Sequence, residues 1–189
     1  MAREQKAPER VATPAKAARV LDALEKAHPD ARIFLNFQSP FQLLIATILA
    51  AQCTDEKVNQ VTPTLFERYP SPAAIAGART EDIEQIIRST GTFRQKARSI
   101  QQCCRVLVEQ HDGQVPQDIE ALTAIRGVGR KTANIVLGVA FGQPALAVDT
   151  HVFRVTQRIG LARSRYPDKV EEQLCAIIPR ERWTRAALL

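Results

Sequence analysis

Residues 119–140 read IEALTAIRGVGRKTANIVLGVA, and this stretch decides the fold. A short helix is expected to end near Ile125, Gly127-Val128-Gly129 to form a tight connection, and a second helix to begin near Arg130. Two glycines two apart at such a junction permit positive φ and let another backbone approach closely. The amides of the connection and of the second helix's first turn then face outward, which suits an anion. Ile125 and Val128 are expected to pack the connection against its helices. Taken alone, a G-x-G of this kind is an ordinary helix C-cap in a bundle, so the surrounding sequence has to raise it above that reading.

Working outward, every patterned segment is helical. Val20, Leu21 and Leu24 form a short apolar stripe in a helix expected from about Ala17 and stopping before Pro29. Ser39 reads as an N-cap with Pro40 at the first helical position, leading into Phe41–Ala51. That run is apolar almost all round, the mark of a central buried helix. Further helices are expected at about 56–69, 72–77, 80–89 and 95–111, with Ser71 and Thr80 as N-caps. Alternating strand-like runs are absent, so the fold class is all-α. Residues 1–16, rich in Ala, Lys, Glu and Pro, read as a flexible basic arm.

Composition removes several classes of function. The chain has 189 residues, 45% hydrophobic and 24% charged, enough to bury a real core and too balanced for an acidic disordered chain. Its longest nearly apolar run, Phe41–Ala51, is far short of the ~20 residues that span a bilayer. No secretory h-region opens the chain, so a cytoplasmic protein is expected. The excess of 26 Lys+Arg over 20 Asp+Glu favours a polyanionic partner, although a solubilising surface explains it equally well. Aromatics make up only 5%, which argues against a platform for stacking single-stranded bases. Cys53, Cys103, Cys104 and Cys175 have no metal-ligand spacing and read as reduced thiols, with Cys53 in the core.

The hairpin follows the pattern apolar-x-G-x-G-x-x-T-A, a helix-hairpin-helix whose amides hold DNA backbone phosphate without reading sequence. Beyond a short loop come Val148-Asp149-Thr150-His151. Together with LNFQSPFQLLIATILAAQCTD (35–55), HDGQVP (111–116), LTAIRGVGRKTANIVLGVAFG (122–142) and AVDTHVFRV (147–155), these pieces closely resemble the endonuclease III family of DNA glycosylases. The likeness runs in one register over residues 17–189.

The resemblance implies roles. Lys131 matches the nucleophile, although out of context a lysine there is a solvated charge. An amine attacks only when neutral, a form favoured by partial burial, neighbouring cations such as Arg130 and a helix N-terminus. Asp149, 18 residues on, matches the carboxylate that stabilises developing sugar charge and helps take the amine's proton. Its plain role, helix N-cap, is compatible with that. Gln52 matches the residue that fills the gap left by a flipped nucleotide, and Thr92 a second wedge where leucine is common. Gly127, Val128, Gly129, Arg130 and Thr132 are the expected backbone contacts. His151 is expected to support the Asp149 loop by hydrogen bonding, and Lys96 and Arg98 to be solvated or phosphate-facing.

The family's architecture implies two helical domains flanking a DNA-binding cleft. A six-helix domain at 33–143 would carry the helix-hairpin-helix (about 119–140), and residues 17–32 plus 144–189 would form the second. Family members usually hold a [4Fe–4S] cluster on C-x6-C-x2-C-x5-C near the C-terminus. This chain offers no such ligands, so no cofactor or metal is expected on it, and it is expected to be either a C-terminally shortened version of a cluster protein, the favoured reading, or a cluster-free form. The implied function is a monomeric bifunctional glycosylase/AP lyase of base excision repair, acting on oxidised pyrimidines in double-stranded DNA and cutting 3′ to the abasic site by β-elimination. The alternatives are a glycosylase for a different lesion and a catalytically inactive helix-hairpin-helix DNA-binding protein.

Overall fold

A computed structural model describes residues 12–189. Among them every regular element is helical, as the sequence predicts: α1 (Pro14–Ala27), α2 (Pro40–Leu49), α3 (Asp55–Arg68), α4 (Pro72–Gly77), α5 (Thr80–Ile86), α6 (Phe93–Gln110), α7 (Ile119–Ala124), α8 (Arg130–Ile135), α9 (Thr150–Arg158), α10 (Pro167–Ile177) and α11 (Trp183–Leu188). No helix among the described residues is long and apolar enough to cross a membrane.

Several helix starts follow one rule. A Ser, Thr or Asp side chain accepts from an amide three residues on, at Thr13, Ser39, Ser71 and Asp118. Proline takes the first helical position at Pro14, Pro40 and Pro72, where no N–H is needed. The Thr13-Pro14 start places α1 three residues ahead of the expected Ala17, so the last residues of the expected basic arm are helical; residues 1–11 lie outside the described residues. Thr80 is not a cap. It is the first residue of α5, and its hydroxyl donates to Gln101 Oε1 at 2.8 Å, while Arg79 occupies the cap position without a side-chain bond. The helix expected to run to Ser89 ends at Ile86 and gives way to a 3₁₀ turn, Arg88–Thr90.

The chain divides into two compact units. In Ile33–Ala145, α2 is buried along nearly its whole circumference. The hydroxyl of Thr47 in that helix is satisfied by donating to Leu43 O at 2.8 Å. Burying each such leucine or isoleucine contributes roughly 1.5–3 kcal/mol. Around it pack Val58, Leu65, Ile75, Ile83, Ile100, Leu107, Leu122 and Ile125. The second helix of the hairpin is not uniform: after Ile135 it widens into a π-helical turn, Val136–Ala140.

The other unit joins residues through Arg32 to Leu146–Leu189. Its smaller core holds Ala17, Leu21, Leu146, Val148, Leu161, Val170 and Leu174. Polar ties from the chain's two ends supplement it. Lys16 Nζ donates to Ile159 O at 2.7 Å, and Arg182 pairs with Asp22 at 2.9 Å and Glu25 at 3.1 Å. The Arg185 guanidinium donates to the carbonyls of Ala31, Pro29 and His28.

Candidate active site

The hairpin is built from both sides. On the near side, Asp118 caps α7 by accepting from Ala121 N at 2.7 Å. That backbone bond, with help from Glu120, holds its carboxyl below the usual range. Ile125 and Val128 are buried, and Val128 N donates to Ile125 O at 3.0 Å, closing the turn. With its side chain in the core, Val128 can meet a ligand only through its main chain. Gly127 has φ +91°, a backbone that side-chain-bearing residues rarely adopt. Gly129 differs from expectation: at φ −84° and ψ 170° it is extended and needs no glycine for its conformation. A side chain there would instead project into open space.

The start of α8 therefore has an unusual composition. Gly129 is its N-cap and supplies no side-chain hydrogen bond. Arg130 and Lys131 follow, both exposed, with Thr132 half-buried. Lys131 is exposed because its position on this short helix faces away from the core that Ala133 and Val136 enter.

Asp149 belongs to the other unit and caps α9. Its Oδ1 accepts from His151 N and Val152 N, both at 2.8 Å. That leaves Oδ2 outside the cap, on a half-buried carboxylate. His151 supports the loop through its main-chain amide, while its ring nitrogen Nδ1 lies 3.4 Å from Arg154 Nη2.

Gln52 and Thr92 are both exposed and share a feature that no sequence signal announced. Gln52 has φ +52° and Thr92 φ +32°. For a β-branched residue such as Thr92 the left-handed region is a genuine outlier, costing roughly 1–3 kcal/mol, and strain of this kind clusters at ligand clamps. Lys96 departs furthest from expectation. It is 4% exposed, not solvated, and its Nζ donates to Thr90 O at 2.6 Å. Arg98 is exposed.

Residues 45–180 match the family model of the "HhH-GPD superfamily base excision DNA repair protein". The chain is 51% identical over 169 residues to endonuclease III of Synechocystis sp., covering 89% of this chain and 77% of that protein. The chain belongs to the endonuclease III family. Endonuclease III of Escherichia coli (strain K12) is similar at 46% identity over 167 residues, covering 88% of this chain and 79% of that protein. A solved structure of a trapped endonuclease III–DNA covalent intermediate, in an estranged-adenine complex, matches with a TM-score of 0.90 and 46% identity over 94% of this chain and 84% of that one. A thermostable thymine-DNA glycosylase matches with a TM-score of 0.80 at 22% identity, a likeness of fold alone.

Endonuclease III proteins usually carry an iron–sulfur cluster, and the four cysteines here do not fit one. Cys103 and Cys104 are consecutive on α6 and buried in the core of Ile33–Ala145. Burial pushes the Cys103 thiol up to about 12 and Cys104 further still, the reverse of what a metal thiolate needs. Cys53 is half-buried against the same core, and Cys175 packs in the other unit. Among the described residues, no group of three or more His, Cys, Asp or Glu is placed to hold a metal ion.

Proposed function

We propose that this chain is a DNA glycosylase/AP lyase of base excision repair that removes oxidised pyrimidines from duplex DNA. The observation that carries the reading is Lys131, exposed on the first turn of the hairpin helix, in a chain similar along most of its length to an endonuclease III trapped covalently on DNA. The DNA substrate places its work in the cytoplasm, at the nucleoid in a bacterial cell, and it acts as a single chain.

The hairpin, with Gly127 and Gly129 exposed and no side chain at the head of α8, suits a backbone phosphate approached through main-chain amides. The damaged nucleotide has to leave the helix, at a cost of a few kcal/mol, with Gln52 and Thr92 filling the space. The neutral Lys131 amine then attacks the sugar C1′, forming the C–N bond as the bond to the base breaks and the base departs, taking a proton from water. Asp149 Oδ2, outside the α9 cap, stabilises positive charge on the sugar and accepts a proton from the attacking amine. Ring opening gives a Schiff base between C1′ and Nζ. Loss of a C2′ proton then expels the 3′ phosphate, and water releases the enzyme.

Borohydride tests this directly, because it reduces the Schiff base to a stable amine. Duplex DNA carrying thymine glycol or an abasic site should give a protein–DNA adduct that is absent with Lys131→Ala. Base release without strand cleavage would replace this reading with a monofunctional glycosylase. Activity confined to another lesion would move the substrate class. Binding without base release or adduct would leave a helix-hairpin-helix DNA-binding protein.

A further inference from the structure

A buried ammonium is expensive unless something holds it, since the charged form loses its hydration. Lys96 meets that condition in an informative place. Its side chain reaches back over six residues to the carbonyl of Thr90, while its main-chain amide donates to the carbonyl of Thr92 at 3.1 Å. One residue thus grips both ends of the dipeptide that follows the 3₁₀ turn.

Both residues of that dipeptide have positive φ. Gly91 has φ +67° and ψ 163°, a region open essentially to glycine alone, and Thr92 has φ +32° and ψ 31°. Thr92 heads α6 without a side-chain cap bond, so the turn lacks the local support that Ser39, Ser71 and Asp118 give their helices. Support comes from beneath. Thr90 is buried, and its hydroxyl donates to Ile87 O at 2.8 Å. Burial holds the Lys96 ammonium below the ordinary lysine range, with Cys53, next to Gln52 in sequence, acting on it in the opposite direction.

We infer that Lys96 is a positioning residue for base extrusion: it clamps the Gly91-Thr92 turn in its left-handed form and so holds Thr92 outward as a wedge. This rests on the functional reading above. An apolar residue in its place would still fill the core but would leave the turn free to relax. Extruding a damaged base requires unstacking it, whereas an abasic site has no base to unstack. The clamp therefore matters for base excision and little for cleavage of a preformed abasic site.

The test compares the wild type with Lys96→Met on two duplexes, one with thymine glycol and one with an abasic site. Single-turnover base excision should fall about 10- to 30-fold, and 2-aminopurine beside the lesion should lose its unstacking signal. Abasic-site cleavage should change less than about threefold. Adding Thr92→Asn to Lys96→Met should restore excision to near the level of Thr92→Asn alone, because asparagine tolerates the left-handed region. Equal losses on both duplexes, or no loss, overturn the inference. If Lys96→Met fails to fold, Gly91→Ala decides: its Cβ meets nothing within 4 Å, so it acts through the turn's backbone alone and should show the same selective loss. A wild type that gives no adduct on either duplex overturns the functional reading itself, whatever Lys96 does.

Discussion

Two helices begin at residues singled out for chemistry, and they begin in opposite ways. At α9 the carboxylate of Asp149 closes the helix start, one oxygen taking two amides. At α8 the cap position is Gly129, which has no side chain to offer. The difference suits the two ends to different work. A start capped by its own side chain fixes that side chain in place, here leaving the second carboxylate oxygen aimed by the first. A start with a bare cap leaves room for an incoming anion to do what Ser39 or Asp118 does elsewhere in the chain.

The sharpest way to break this contrast is to separate the cap at 149 from its charge. Asn caps as well as Asp, so Asp149→Asn should leave stability within about 0.5 kcal/mol of wild type while single-turnover strand cleavage falls 100-fold or more. Asp149→Ala should lose both, adding about 1 kcal/mol of destabilisation in urea. Full cleavage by Asp149→Asn would reduce the residue to a structural cap.

Smaller effects separate the two glycines of the hairpin. Gly127→Ala places a side chain at φ +91°, with the nearest atom, Ser99 Cβ, at an ordinary 3.6 Å. Its cost is therefore in the backbone, about 1–2 kcal/mol, and should appear as a lowered denaturation midpoint. Gly129→Ser should do the reverse. It strains nothing and supplies the missing cap, so stability should rise by a few tenths of a kcal/mol. Affinity for duplex DNA should nonetheless fall severalfold in a titration at fixed salt, because the hydroxyl occupies the place meant for phosphate. Unchanged affinity would mean the bare cap has no ligand.

The parts of the molecule legible in the sequence are those that local chemistry dictates. Ser39-Pro40 and Ser71-Pro72 announce helix starts because hydroxyl caps and φ-locked prolines act within one turn. The unbroken apolar run after Ser39 marks a buried helix, since only burial accommodates a helix with no polar face. The hairpin turn and Asp149 as a cap were equally readable from turn residues, whereas the role of Lys131 rested on the family resemblance alone.

What escaped the sequence depends on partners distant along the chain or on competition between neighbours. Thr80 looks like a cap, but Gln101, on another helix, draws its hydroxyl away. Gly129 looks like a residue needing positive φ, yet Gly127 alone turns the chain. Lys96 looks like a surface charge, and only the packing of α6 against the 3₁₀ turn shows that its amine is buried against a carbonyl. Residue types and short spacings thus settled that the chain is helical and where helices such as those at Ser39-Pro40 and Ser71-Pro72 start. Burial and backbone strain were settled by the folded whole, because both depend on what other segments bring to a residue and on how much water they exclude from it.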